Sequence, residues 1–207
     1  MDYRKYQIRR WRIRPEKSAL LVIDMQNYFL DVAYPIINNT KALIHAFRKE
    51  GLPVIFTQHT HRNLEVDGGL LAEWWGKESM EVFSPGRWEW EIIEEIKPLQ
   101  NDVVINDKTR YSAFYKTRLE AILKELKVED LVICGVMTNY CCETTARDAF
   151  NRDFRVFFVE DATSTDDAFL HNATLCNLAS GFATIVNTRE VISGILNFHF
   201  PEHHEHS

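Results

Sequence analysis

The chain has 207 residues, 45% of them hydrophobic and 26% charged, with a formal net charge of −6. That length closes a substantial core as one domain, the negative charge argues against non-specific nucleic-acid binding, and no apolar run is long enough to span a bilayer. Residues 1–17 are basic but lack the apolar stretch of a secretory signal, so they are expected to form an extended arm on the body or on a partner subunit.

Six short apolar runs follow in chain order: 18–25 (SALLVIDM), 52–58 (LPVIFTQ), 101–107 (NDVVIND), 130–137 (DLVICGVM), 154–162 (FRVFFVEDA) and 182–187 (FATIVN). They are continuous rather than alternating, the pattern of strands covered on both faces. Helical segments separate most of them. Residues 38–51 have an Asn/Thr start and a Gly stop, and residues 115–128 place Leu119, Ile122, Leu123 and Leu126 on one face. Residues 138–153 and 165–180 follow the last strong strands. The alternation predicts an α/β fold: a doubly wound, mostly parallel six-stranded sheet with helices on both faces.

One stretch breaks the rhythm. Residues 59–100 hold too much chain for a simple crossover and carry Trp74, Trp75, Trp88 and Trp90, four of the five tryptophans. An insertion anchored by aromatics reads either as an active-site wall or subunit contact, or as a helix and loop packed on the core. The tail, FHFPEHHEHS, reads as a frayed end.

Four cysteines, Cys134, Cys141, Cys142 and Cys176, make no disulfide framework in a chain of this length, and no C-x-x-C occurs. A bridge between the neighbours Cys141 and Cys142 would be strained and labile. With free thiols and no apolar signal stretch, a reducing cytoplasm is the expected setting.

In an open parallel sheet, ligands bind beyond the carboxyl ends of the strands. Three polar residues fall at that edge: Asp24 after the first strand, Lys108 after the third, and Cys141 where the helix after the fourth strand begins. A thiol in a first helical turn meets unpaired N–H groups and the positive end of the helix dipole, and a nearby ammonium acts the same way, so a thiolate is expected. Cys142 is one step of about 100° around the helix and is expected to face the core, four residues before Ala146. Asp24 can take the thiol proton and return it to a leaving amine.

Together, ALLVIDMQNYFLD, DKTRYSAFYKTRLEAILKEL and LVICGVMTNYCCETTARDAF resemble the isochorismatase-like cysteine hydrolases, which include nicotinamidases, N-carbamoylsarcosine amidase and ureidoacrylate amidohydrolases. The resemblance covers roughly residues 17–190. It implies a base at Asp24, a lysine at Lys108 and a nucleophile at Cys141 rather than Cys142. It also implies a cis peptide between Val136 and Met137 that turns the Met137 and Cys141 amides into an oxyanion hole. The retained cysteine points to hydrolysis of a small amide, ureide or carbamoyl C–N bond through a thioester, rather than to the vinyl-ether cleavage of isochorismatases proper. Phe29, Tyr111, Tyr140, Trp74 and Trp75 are the expected substrate contacts. A homo-oligomer, dimer or tetramer, is implied as well, with no cofactor, no nucleic acid and no membrane.

Nicotinamidases hold a metal through an Asp-x-His pair and a further His. Here His59 stands at the Asp position and His61 at the first His, with no later His in the insertion, so a third ligand is missing and nicotinamidase activity ranks low. His59 and His61 otherwise line the pocket or cap the strand. The competing reading is a catalytically inactive or thiol-redox binding module on the same fold, with Cys141 and Cys142 sensing oxidant. Nucleotide binding fails for want of a glycine-rich loop after the first strand.

Overall fold

The computed structural model describes residues 2–196, so the C-terminal tail read above as frayed lies outside the described residues. The six expected strands are β1 Ser18–Ile23, β2 Val54–His59, β3 Val103–Lys108, β4 Asp130–Val136, β5 Arg155–Ser164 and β6 Ala183–Val186. They form one sheet in the order β3-β2-β1-β4-β5-β6, with every neighbouring pair parallel. Around it run α1 Leu30–Ala33, α2 Ile37–Lys49, α3 Leu64–Asp67, α4 Gly69–Trp75, α5 Lys77–Met80, α6 Leu119–Glu125, α7 Glu143–Asn151, α8 Ala168–Gly181 and α9 Thr188–Leu196.

Alternate residues of β1 enter two different cores. Ala19, Leu21 and Ile23 pack with Leu119 and Leu123 of α6, Ala146 and Ala149 of α7, and Leu175 and Leu178 of α8. Leu20 and Val22 pack with Leu43 and Phe47 of α2 and Val191 and Ile195 of α9. Both faces are dry, so a polar residue at any alternate position would be buried; this is why the strand is a continuous apolar run. Each fully buried aliphatic side chain contributes about 1.5–3 kcal/mol.

The chain winds outward from β1 through β2 to β3, then crosses back to β4 on the other side of β1. The winding reverses between β1 and β4, and the crevice beyond their carboxyl ends is where such sheets take ligands. Asp24 follows β1 and Cys141 follows β4, so each flanks that crevice. The two strands meet closely here. Gly135 pairs with Ile23, has φ +120°, and a Cβ on it would stand 2.1 Å from the Ile23 carbonyl oxygen. Only glycine fits that contact.

The arm lies on its own chain. Tyr3 Oη donates to Glu160 at 2.9 Å, and the Gln7 side chain donates to the Ala183 carbonyl and accepts from the Ile185 N–H, both at 2.9 Å. Those two bonds mimic a strand and cover the free edge of β6. Leu126 does not join the face of α6 as expected: the helix ends at Glu125, Lys127 reverses the chain with φ +56°, and Leu126 is 42% exposed. Among the described residues, no helix is long and apolar enough to cross a membrane.

Candidate active site

Asp24 is the first residue beyond β1 and is fully buried, with φ +48°. Asp tolerates this left-handed region better than most residues. The turn swings its carboxylate across the strand ends. Thr57 of β2 donates to Oδ1 at 2.6 Å, and Lys108 Nζ donates to Oδ2 at 2.6 Å. Lys108 is the last residue of β3 and also has no exposed surface. Its ammonium has three N–H groups and three partners: Asp24, Cys141 Sγ at 3.3 Å and His59 Nδ1 at 3.4 Å. Burial works against the charged amine, but Asp24 and Cys141 outweigh it and raise its pKa. The three residues expected to meet at one edge of the sheet therefore do meet.

Cys141 sits in a single π-turn, Thr138–Cys142, that links β4 to α7 and is closed by a 3.2 Å bond from the Cys142 N–H to the Met137 carbonyl. The Val136–Met137 peptide bond is cis. Cys141 borders the cavity described below, whereas Cys142 has no exposed surface and packs in the α6–α8 core, as the register around Ala146 implied. All four cysteines are free and buried. The expected thiolate is not what the environment favours. Burial first, then the Asp24 charge, pushes the Cys141 thiol up to about 12, against the opposing pull of Lys108. Dryness and the Asp24 carboxylate both favour the protonated thiol, and the Lys108 ammonium beside it is already matched by that carboxylate.

His59 and His61 are both buried and face each other, with their Nε2 atoms 3.0 Å apart. His61 Nδ1 lies 2.8 Å from Asp67 Oδ1. Burial, then the Lys108 charge, holds His59 well below the usual imidazole range. Burial also lowers His61, although Asp67 opposes it. Each Nε2 is thus engaged with the other, His59 Nδ1 with Lys108 and His61 Nδ1 with Asp67. Among the described residues, no group of three or more His, Cys, Asp or Glu could hold a metal ion. This donor set does not fit the metal that nicotinamidases hold.

A cavity of about 370 Å³ opens onto Cys141. Its lining is rich in aromatics, with Phe29 and Phe83 in one ring cluster and Tyr111, Tyr140 and Trp75 in another. Tyr111 and Tyr140 are stacked at 5.5 Å, Trp75 meets Tyr140 edge-on at 5.7 Å, and Trp75 Nε1 donates to Tyr111 Oη at 2.8 Å. Of the residues expected to contact substrate, Phe29, Tyr111, Tyr140 and Trp75 line this cavity. Trp74 does not. It is 80% exposed on the outer face of α4 and borders a separate surface cleft with Arg110 and Tyr115, because neighbours on a helix point about 100° apart.

Several residues escaped the sequence reading. Gln26 is fully buried: its side chain accepts from the His59 N–H at 2.8 Å and donates to the carbonyls of His59 at 3.1 Å and Trp90 at 2.8 Å. It clamps the end of β2 to the tryptophan-rich insertion. The insertion supplies Leu71, Trp75, Met80 and Phe83 to the cavity wall. Asp31 and Asp166, both exposed, stand at its rim. Only the Gln in DMQ carried a hint, as a polar residue just after a buried strand; the carboxylates look like ordinary surface charges.

A family model described as the isochorismatase domain matches residues 18–190. The chain is 44% identical to nicotinamidase 3 of Arabidopsis thaliana over 194 residues, covering 93% of this chain and 96% of that one. A ureidoacrylate amidohydrolase of Caulobacter segnis is 29% identical over 205 residues, with 86% and 85% covered. Among solved structures, a cysteine hydrolase from Pseudomonas syringae pv. phaseolicola superposes with a TM-score of 0.85 at 30% identity, covering 90% of this chain and 96% of that one. With the fold, the strand order and a domain match over most of its length in agreement, the chain belongs to the isochorismatase family.

Proposed function

We propose that this protein hydrolyses the C–N bond of a small carboxamide through a thioester on Cys141. The observation that carries the reading is the buried Lys108 ammonium in contact with both the Asp24 carboxylate and the Cys141 sulfur, the last of which borders an aromatic cavity. Asp24 takes the proton from Sγ, and the sulfur attacks the substrate carbonyl. The backbone N–H groups of Met137 and Cys141 hold the oxyanion. Asp24 then gives its proton to the leaving nitrogen, the C–N bond breaks, and ammonia departs. A water molecule loses a proton to Asp24 and attacks the thioester. Collapse expels the sulfur, which regains the proton, and a carboxylic acid is released. A thiol protonated at rest suits this scheme, because the proton moves only as the new bond forms. Lys108 keeps the Asp24 charge stable in a dry site throughout.

The substrate class we infer is a flat, uncharged aromatic amide of the nicotinamide kind. Two supports converge: a named nicotinamidase is 44% identical over nearly the whole chain, and the cavity walls are stacked aromatics. Among the described residues lining the cavity there is no Lys or Arg; the charged groups are Asp31 and Asp166. An acid-bearing ureide such as ureidoacrylate would meet those carboxylates and no Lys or Arg among these lining residues. The low rank that the missing metal ligands gave nicotinamide is therefore reversed in this reading.

The test is ammonia release from nicotinamide and from ureidoacrylate, with intact-mass detection of an acyl adduct. Turnover of nicotinamide with an adduct on Cys141 is expected. Turnover that survives replacement of Cys141 by Ala would overturn the mechanism, and a preference for the anionic ureide would overturn the substrate class.

A further inference from the structure

The chain of contacts running from Lys108 to the first turn of the insertion has a direction, and the chemistry at one end sets it. Asp67 closes α3, and its Oδ2 accepts the backbone N–H groups of Arg62 at 2.8 Å and Asn63 at 3.1 Å. Burial would favour the acid form, but these bonds and His61 outweigh it and lower the carboxyl pKa. Oδ1 is thus an acceptor, so His61 Nδ1, 2.8 Å away, must carry the hydrogen. A neutral His61 then has a bare Nε2. That atom faces His59 Nε2 at 3.0 Å, which must donate. A neutral His59 is left with a bare Nδ1, and Lys108 Nζ stands 3.4 Å from it. Each tautomer follows from the one before it.

We propose that His59, His61 and Asp67 form a positioning relay: the Asp67 carboxylate sets both imidazole tautomers so that His59 presents an acceptor to Lys108 and holds its ammonium between Asp24 and Cys141. Without that third acceptor, one N–H of a fully buried ammonium has no partner, and the lysine swings to find one. None of the three relay residues needs to touch the scissile bond. The relay rests on the reading of Cys141 as the reacting thiol, but the tautomers themselves do not.

Asp67→Asn is the sharp test, because it keeps size and reverses polarity. The carbonyl of the introduced amide stays on the two backbone N–H groups, and its NH₂ faces His61. Every bond in the chain then inverts, and His59 turns an N–H toward the Lys108 ammonium. Nitrogen NMR of the imidazoles should show His61 protonated at Nδ1 and His59 at Nε2 in the parent protein, and the opposite tautomers in Asp67→Asn. The rate of Cys141 alkylation by iodoacetamide should fall about 10- to 100-fold in Asp67→Asn and in His59→Leu, as a displaced catalytic group would make it. His59→Asn, whose carbonyl can take the place of Nδ1, should recover most of that loss.

Parent-protein tautomers with hydrogen on His59 Nδ1 would overturn the relay. So would folded Asp67→Asn and His59→Leu proteins alkylated at the parental rate, or one equivalent of zinc, by elemental analysis, that disappears in His61→Phe. A parent Cys141 that iodoacetamide cannot reach would instead overturn the proposed function, with the tautomers still readable by NMR.

Discussion

Lys108 Nζ and Asp24 Oδ2 are 2.6 Å apart, and neither side chain has any exposed surface. A buried ion pair of this kind costs desolvation at both ends, and removing one partner strands the other charge. Lys108→Met is therefore expected to lower stability by about 3–5 kcal/mol. Adding Asp24→Asn should restore much of it, since two neutral groups then fill the same space. Neither variant should turn over substrate. Chemical unfolding of both proteins measures this; a double variant as unstable as Lys108→Met alone would mean that the pair is not what the single change disturbs.

The two adjacent thiols should separate cleanly. Cys141→Ala is expected to reduce turnover at least about 10³-fold with little loss of fold, because the covalent route is gone. Cys142→Ala, in the α6–α8 core, should lower stability by about 1–2 kcal/mol and leave the rate nearly unchanged. Steady-state rates and thermal melts decide it, and comparable rate losses at both positions would contradict the assignment.

Alkaline pH should weaken the fold through Cys141. Its thiol is raised from 9.0 to about 12, chiefly by burial. A folded thiol that holds its proton more tightly than the unfolded one contributes fully below about pH 9, and that contribution is lost as pH climbs from about 9 to about 12. The ceiling is about 4 kcal/mol for this group. Denaturant unfolding of the parent protein should therefore show a steeper alkaline loss than that of Cys141→Ala. Parallel curves would place the thiol in a wetter setting than the structure does.

Rim charge should choose between substrates. Replacing Asp166 and Asp31 by Lys is expected to raise kcat/KM for an acid-bearing ureide relative to a neutral amide by about 10-fold, a difference of about 1.4 kcal/mol. Competition assays with both substrates read the ratio directly. An unchanged ratio would remove these carboxylates from the specificity argument.

Much of this protein was legible in its residue order. Strands buried on both faces must be apolar at every position, so the runs around Leu20, Phe56, Ile133 and Phe157 announced themselves, and the alternation with helices left a doubly wound sheet as the simple solution. Motif resemblance chose Cys141 over Cys142, and of the two it is Cys141 that borders the cavity. Tertiary structure decided what depends on distance and dryness. The sulfur's preference for its proton comes from the low polarity around it, which one helix terminus cannot reveal. The divergence of Trp74 and Trp75 depends on how α4 is rotated against the body. The roles of Gln26, Thr57 and Asp67 exist only because turns far apart in the chain place single atoms within hydrogen-bond reach. Burial patterns repeat along a chain and can be read from it; the partners of a lone polar atom are set by the packing of the whole sheet edge.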